Sequence, residues 1–307
     1  MTTLNSFKEL GLAPLLLSSL SQLGYETPTP IQAQSIPIVL NGDDLLAQAQ
    51  TGTGKTAAFA LPIISNIDFT IKSPQAIIIA PTRELALQVA EAFESYAKDM
   101  KDFHLASIYG GQSVRLQLQA LNRGAQVIVG TPGRILYHLS RGTIKTEHLK
   151  IAVLDEADEM LKMGFIDDIE SILNALPSPR QTALFSATMP ERIKNVAKKY
   201  LSNPKRVHIE SKTNTVEAID QSCICVHRDQ KLEVLGRILE TDEVDAAIIF
   251  VRTKNDSHEL ALKLKARGYS ANAINGNMDQ NQREAVIQEV KNHACQILVA
   301  TDVAARG

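Results

Sequence analysis

Short apolar runs alternate with amphipathic stretches along most of this chain. Near-continuous apolar or β-rich runs fall at residues 44–49, 75–80, 104–109, 126–130, 151–154, 182–185 and 206–209. Each predicts a strand covered on both faces. Between them, residues 84–98 place Leu85, Val89, Ala92, Phe93 and Tyr96 at helical spacing. Residues 55–63, 113–121, 167–175 and 191–200 also read as helices. Strand and helix in regular alternation predict βαβ units and a parallel sheet.

Residues 210–219 are polar, show no period and predict a linker. The alternation then resumes, with strands at 245–251, 270–274 and 296–300 and helices at 255–267 and 280–292. The expectation is α/β architecture in two domains, 1–209 and 220–307, each a parallel sheet flanked by helices. The second is expected to be truncated rather than small, because residues 297–307 end on a strand and turn with nothing to cover the sheet edge.

Composition narrows the function classes. The chain has 307 residues, is 44% hydrophobic and 21% charged, and carries a net charge of −2. That is not a globally basic nucleic-acid binder, so any such contact must come from a local groove. Trp is absent and aromatics are 5%, which argues against a broad base-stacking platform. Cys223, Cys225 and Cys295 have no zinc-like spacing and are expected to be reduced, partly buried thiols of a cytoplasmic protein. The first twelve residues lack the pattern of a signal peptide, and no apolar run approaches the ~18 residues of a membrane span.

Two strings carry the chemistry. Residues 49–56 read Ala-Gln-Thr-Gly-Thr-Gly-Lys-Thr, after a predicted strand and opening a predicted helix. This is a phosphate loop with Ala49 where the general pattern has glycine. Gln50, Thr51, Gly52, Thr53, Gly54, Lys55 and Thr56 are therefore nucleotide-binding candidates. Gly52 and Gly54 let backbone N–H groups turn toward phosphates, Lys55 reaches the β- and γ-phosphates, and the Thr56 hydroxyl is a Mg²⁺ ligand. The second string, Asp155-Glu156-Ala157-Asp158, ends the apolar run 151–154. Alone, an Asp-Glu pair is usually a helix start or a solvated turn. At the end of a buried strand, beside a phosphate loop, Asp155 is expected on the metal and Glu156 on the attacking water. Asp158 is expected to bond to neighbouring loops.

Further strings stand in a fixed order around these two. Tyr25-Glu26-Thr27-Pro28-Thr29-Pro30-Ile31-Gln32 precedes the phosphate loop. Pro81-Thr82-Arg83-Glu84-Leu85-Ala86, Gly110-Gly111, Thr131-Pro132-Gly133-Arg134 and Ser186-Ala187-Thr188 follow it. The ordered set resembles the DEAD-box RNA helicases over essentially the whole chain. Residues 133–142, 154–172 and 246–254 are most similar to the bacterial cold-shock branch, linked to ribosome assembly and RNA turnover.

The resemblance implies two RecA-like domains, ATP and Mg²⁺ as cofactors, and RNA as the partner. It implies that Tyr25, Thr27 and Gln32 bind adenine, Tyr25 by stacking and Gln32 through its amide. It implies that Thr82, Arg83, Gly111, Thr131, Gly133 and Arg134 hold the RNA sugar–phosphate backbone without reading sequence. An ordinary helix-start salt bridge is the competing reading of Arg134. Ser186 and Thr188 are implied to link hydrolysis to strand separation, and a helix N-cap before Pro190 is a compatible role. In the second domain Gln280, Arg283 and Thr301 match RNA-contacting positions.

The resemblance stops short at Gly307. The remainder of the fifth motif and the arginines of the sixth have no counterpart in these residues. Arginine fingers are worth roughly 10³–10⁵ in rate in related reactions, so this chain alone is expected to bind nucleotide and hydrolyse it poorly. Ribosomal precursors or RNA-decay complexes are the expected partners of the intact protein, and no membrane is. The competing functions are a DNA helicase of the same superfamily and a non-catalytic RNA-binding or regulatory fragment.

Overall fold

The computed structural model describes residues 6–209, 219–241 and 244–301, the side chains of Gln280 and Asn281 excepted. The linker expected over 210–219 lies, but for Ile219, outside the described residues. The chain divides into two compact units, Met1–Lys212 and Thr213–Gly307.

The strands of the first unit are β1 (Leu45–Gln48), β2 (Ala76–Ile79), β3 (Leu105–Ile108), β4 (Val127–Gly130), β5 (Ile151–Leu154), β6 (Gln181–Ser186) and β7 (Lys205–His208). Its helices are α1 (Pro14–Gln22), α2 (Pro30–Leu40), α3 (Lys55–Asn66), α4 (Arg83–Tyr96), α5 (Val114–Asn122), α6 (Pro132–Ser140), α7 (Ala157–Lys162), α8 (Ile166–Ala175) and α9 (Glu191–Tyr200). The sheet has seven strands in the order β3-β4-β2-β5-β6-β1-β7. Each neighbouring pair is parallel. Every strand therefore ends on the same edge, and the loops that follow β1 to β6 gather there.

Strand β2 shows why its run is continuously apolar. Ala76 and Ile78 point into one core with Phe59, Val89 and Phe93, whereas Ile77 and Ile79 point into another with Ile135, Ile169 and Ile172. All four residues are buried. Helix α3 runs past its expected end at residue 63 and through Pro62 to Asn66. Helix α2 had no clear period in the sequence, because it is apolar on most sides and contains Pro37.

The second unit holds α10 (Lys231–Thr241), β8 (Ala247–Val251), α11 (Lys254–Ala266), β9 (Ala271–Ile274), α12 (Gln280–Lys291) and β10 (Ile297–Thr301). Its sheet has three parallel strands in the order β8-β10-β9. Ala261, Leu264, Ala271, Ile297 and Val299 form the core, with Ile249 and Val251 packed against it. Ile248 and Phe250, on the other face of β8, are exposed. The strand expected over 245–251 is β8, and only one of its faces is covered. The cysteine expectation is corrected too: Cys295 is buried, but Cys223 and Cys225 are exposed. Among the described residues, no helix is long and apolar enough to cross a membrane.

Candidate nucleotide and nucleic-acid site

The phosphate loop links β1 to α3, with Gly52 at φ 84° and Gly54 at φ 92°. Gly54 has a second constraint. A Cβ there would lie 2.4 Å from Nε2 of Gln32, so a larger residue would strain the backbone at this φ and push the Gln32 amide aside. Lys55, the first residue of α3, is buried, and its Nζ donates to Glu156 Oε1 at 3.2 Å. The Thr51 hydroxyl donates to the same oxygen at 3.0 Å. Glu156 follows β5 in the left-handed region, at φ 51°, which is strained for a residue with a Cβ.

Asp155 is buried between β5 and this turn. Burial pushes its carboxyl up to about 6; the nearby Lys55 charge opposes the rise, and Glu156 and Asp158 add to it. Its Oδ1 accepts from the Glu156 N–H at 3.0 Å. A buried carboxylate close to a lysine, with a hydroxyl at Thr56 on the first turn of α3, suits a hard divalent cation that keeps most of its ligands as water and phosphate. The donor set is chemically compatible with Mg²⁺ at the candidate residues Asp155 and Thr56.

Strand β6 ends beside these groups. Ser186 is fully buried, donates to the Thr188 carbonyl at 2.7 Å and accepts from the Asp158 N–H at 3.2 Å. Asp158 Oδ2 accepts from the Thr188 N–H at 3.0 Å and from its hydroxyl at 2.8 Å. Burial works against the ionised Asp158, yet these hydrogen bonds to Ser186 and Thr188 outweigh it and hold its carboxyl below the usual range. Neither Ser186 nor Thr188 caps the next helix. Pro190 is the N-cap of α9 and no side chain bonds there, which corrects the N-cap role considered for them.

Tyr25, Thr27 and Gln32 line one open cavity of about 410 Å³ with Leu23, Gly24, Glu26 and Thr29. The Gln32 amide is already engaged on both sides. Its Oε1 accepts from the Thr29 N–H at 2.9 Å, and its Nε2 donates to the Gly54 carbonyl at 3.2 Å. The Thr29 hydroxyl donates to the Thr53 carbonyl at 2.8 Å. The segment before α2 thus braces the phosphate loop as well as lining the cavity.

The remaining candidates of the first unit follow the adjacent strands β2, β3 and β4. Thr82 is the N-cap of α4 and accepts from the Leu85 N–H at 3.2 Å. Arg83 lies against Gly110-Gly111: a Cβ on Gly111, at φ 90°, would stand 2.3 Å from the Arg83 Nη1. Thr131 and Gly133 flank Pro132 at the start of α6. Arg134 forms no ion pair among the described residues; its guanidinium lies 5.5 Å from the Tyr137 ring centre. In the second unit Thr301 ends β10 and Arg283 lies on α12. The Gln280 side chain falls outside the described residues.

Comparison with known proteins decides the family. Residues 29–196 match the DEAD/DEAH box helicase family, and residues 230–307 match the helicase conserved C-terminal domain. The chain belongs to the DEAD/DEAH box helicase family. It is 51% identical over 303 residues to the ATP-dependent RNA helicase DeaD of Buchnera aphidicola subsp. Acyrthosiphon pisum, covering 99% of this chain and 50% of that protein. It spans about half the length of the curated relatives it matches. A DEAD box protein from the hyperthermophile Methanococcus jannaschii is 44% identical, with a TM-score of 0.65, over 99% of this chain and 82% of that one. Saccharomyces cerevisiae Dbp5 bound to RNA and ADP BeF3 is 34% identical, with a TM-score of 0.87, over 99% and 77%. The two units are accordingly RecA-like.

For this DEAD-box chain the sheet order separates the two sets of candidate residues along one edge. Loops after β5, β6 and β1 carry the nucleotide candidates, and loops after β2, β4 and β3 carry the candidates for RNA. Sequence reasoning missed a buried set beneath the latter. Gln117 Nε2 donates to the Tyr109 carbonyl at 2.7 Å, and its Oε1 meets His138 Nε2 at 2.9 Å. His138 Nδ1 meets the Thr143 hydroxyl at 2.8 Å. Burial, aided by the Arg134 charge, keeps the imidazole below its ordinary value. These residues tie α5 and α6 to the end of β3. Their partners come from different elements, so no local spacing announced them.

Proposed function

We propose that this chain is the core of an ATP-dependent RNA helicase that couples ATP binding and hydrolysis to the local opening of short RNA duplexes. The observation that carries the reading is the shared sheet edge. It sets Lys55, Asp155, Glu156, Ser186 and Thr188 beside Thr82, Arg83, Gly111, Thr131, Gly133 and Arg134. The names of the relatives support RNA as the partner. Resemblance of residues 133–142, 154–172 and 246–254 to the cold-shock branch supports a cytoplasmic setting in ribosome assembly or RNA turnover.

In this reading the Lys55 ammonium exchanges Glu156 for the β- and γ-phosphates. Release frees the Glu156 carboxylate to orient the attacking water. Mg²⁺, when bound, supplies charge neutralisation at those phosphates, with Asp155 and Thr56 holding it. Asp158 keeps Thr188 and Ser186 in register with the end of β5. Arg83, Thr131 and Arg134 meet RNA phosphates, and Gln280, Arg283 and Thr301 of the second unit add further contacts. In this reading the domains are 1–209 and 220–307, joined by a linker at 210–219. ATP and RNA both favour closure of the two domains, so each tightens the other.

The test is ATP hydrolysis by the full-length protein and by this 307-residue chain, with single-stranded RNA, single-stranded DNA or neither. RNA-specific stimulation of the full-length protein supports the reading, with the shorter chain binding nucleotide but turning it over slowly. Equal stimulation by DNA would point to a DNA helicase. Nucleotide binding with no stimulated turnover in the full-length protein would point to a non-catalytic RNA-binding role.

A further inference from the structure

Tyr25 sits on the loop between α1 and α2 and is 36% exposed. A half-exposed tyrosine on a loop ordinarily visits several rotamers, and ordering it on binding costs affinity. This ring is held on two sides. Phe7 meets it edge-on, with centroids 6.1 Å apart and planes at 71°. Tyr96 meets it edge-on at 5.8 Å and 88°. The two tyrosine hydroxyls are 3.1 Å apart and share a hydrogen bond.

Tyr96 does not itself line the cavity beside Tyr25. It is the last residue of α4, and it is buried. Its helix is fixed in the core: Phe93, one turn earlier, is fully buried, meets Phe59 of α3 at 6.3 Å and stacks on Phe103 at 6.5 Å. Burial, with the hydrogen bond to Tyr25, pushes the Tyr96 hydroxyl well above its ordinary value, so it stays neutral and keeps its proton for the pair. Phe7 provides a ring contact alone, whereas Tyr96 provides a ring contact and a hydrogen bond from a rigid helix.

We propose that Tyr96 is a positioning residue for the nucleotide base: it fixes the Tyr25 ring so that an adenine entering the cavity finds a stacking surface already in place. The proposal rests on the reading of Tyr25 as the ring that stacks on the base. Tyr96 touches neither base nor phosphate and acts through Tyr25 alone. Its loss should therefore weaken nucleotides that carry the base and leave a bare polyphosphate chain unaffected.

The experiment titrates this chain with ADP, ATP and inorganic tripolyphosphate, using Tyr25→Ala, Tyr96→Phe, Tyr96→Leu and the double variant Tyr25→Ala/Tyr96→Phe. Thermal melting accompanies each titration. Tyr96→Phe keeps the ring and loses the hydroxyl pair, so ADP and ATP should bind about three- to tenfold more weakly. Tripolyphosphate should bind as before. Tyr96→Leu should lose more, and Tyr96→Phe should add nothing in the Tyr25→Ala background. Unchanged ADP binding in Tyr96→Phe, with weakened binding in Tyr25→Ala, would overturn the proposal and leave the adenine reading standing. A parallel loss of tripolyphosphate would also overturn it, as the mark of a general structural role. Unchanged ADP binding in Tyr25→Ala would overturn the adenine reading and this proposal with it.

Discussion

Lys55 Nζ lies 3.2 Å from Glu156 Oε1, and the two side chains are only 6% and 13% exposed. The lysine expected on the phosphates and the carboxylate expected on the water are thus partners in the free chain. The proposed reaction needs both groups and needs them apart. Glu156→Gln removes the charge that competes with phosphate for Lys55. It should tighten ATP binding by about three- to tenfold, the scale of one modest ion pair. In the proposed reaction the same change removes the group that orients water, and it should lower turnover by about 10²–10⁴. Nucleotide titration and single-turnover hydrolysis in the full-length protein check the two halves; normal turnover by Glu156→Gln would remove Glu156 from its assigned role. Lys55→Ala should instead lose ATP binding.

Asp155 should weaken the fold it serves. Its carboxyl rises from the ordinary 3.8 to about 6, chiefly through burial. A raised acid binds its proton more tightly in the folded state than in the unfolded one. Its effect is therefore a stability penalty at pH above about 6, which fades as pH falls from there toward 3.8. The full penalty is about 3 kcal/mol by the conversion of roughly 1.4 kcal/mol per pH unit. Asp155→Asn should raise the melting temperature of the nucleotide-free protein at pH 7.5 by a few degrees. The gain should shrink as the pH is lowered through 6, while Mg²⁺-dependent ATP binding is lost. A variant no more stable than wild type at pH 7.5 would refute this account.

Gly111 is the seat of Arg83. Its φ is 90°, which strains any residue with a Cβ, and a Cβ at this position would stand 2.3 Å from Arg83 Nη1, so alanine would also push the guanidinium aside. Gly111→Ala should cost about 1–3 kcal/mol of stability from backbone strain. It should also displace the guanidinium and weaken RNA binding by about tenfold, one charge-assisted contact. ADP binding should not change, because Gly111 follows β3 and the phosphate loop follows β1. Filter binding with a single-stranded RNA, beside an ADP titration, separates the two effects.

The two chemical strings were legible because their function is local. Residues 49–56 and 155–158 hold their groups at fixed sequence spacing, and apolar runs mark the strands that present them. What was not legible is long-range. Tyr25 and Tyr96 are 71 residues apart, and Gln117 and His138 are 21 apart on different helices. A buried Gln or Tyr has no pattern of its own; its partner is set by how helices cross the sheet. The Lys55–Glu156 contact is of the same kind, although both residues were singled out. Helix α2 escaped because burial on most sides erases the helical period. The exposed face of β8 escaped because a continuous apolar run reads the same whether one face or two are covered.

Asp158 joins the end of β5 to the end of β6, and its removal should separate binding from coupling. Its Oδ2 accepts both the N–H and the hydroxyl of Thr188, and its own N–H donates to Ser186. Burial raises the pKa of its carboxyl, but hydrogen bonds to the carboxylate from the Ser186 and Thr188 side chains and the Thr188 and Ala187 backbone outweigh this and hold it below the ordinary value. A depressed acid contributes stability that is present above its ordinary value of 3.8 and is lost as the pH falls below it. Asp158 and Asp155 therefore act with opposite sign, and Asp158→Ala should destabilise at neutral pH where Asp155→Asn stabilises. Thr188 is reached by solvent, so each of its two donors left unpaired costs about 1 kcal/mol, the low end for such groups. The hydrogen bonds of Asp158 run to residues 186 and 188 rather than to the phosphate loop, so ADP affinity should stay within about twofold of wild type. RNA-stimulated hydrolysis and duplex opening by the full-length protein should fall together, because the loop at 186–188 loses its register with Glu156. Asp158→Asn keeps an oxygen for one Thr188 donor and should recover part of that activity. Equal losses in the two variants would mean that the charge, rather than the hydrogen bonds to Thr188, carries the coupling.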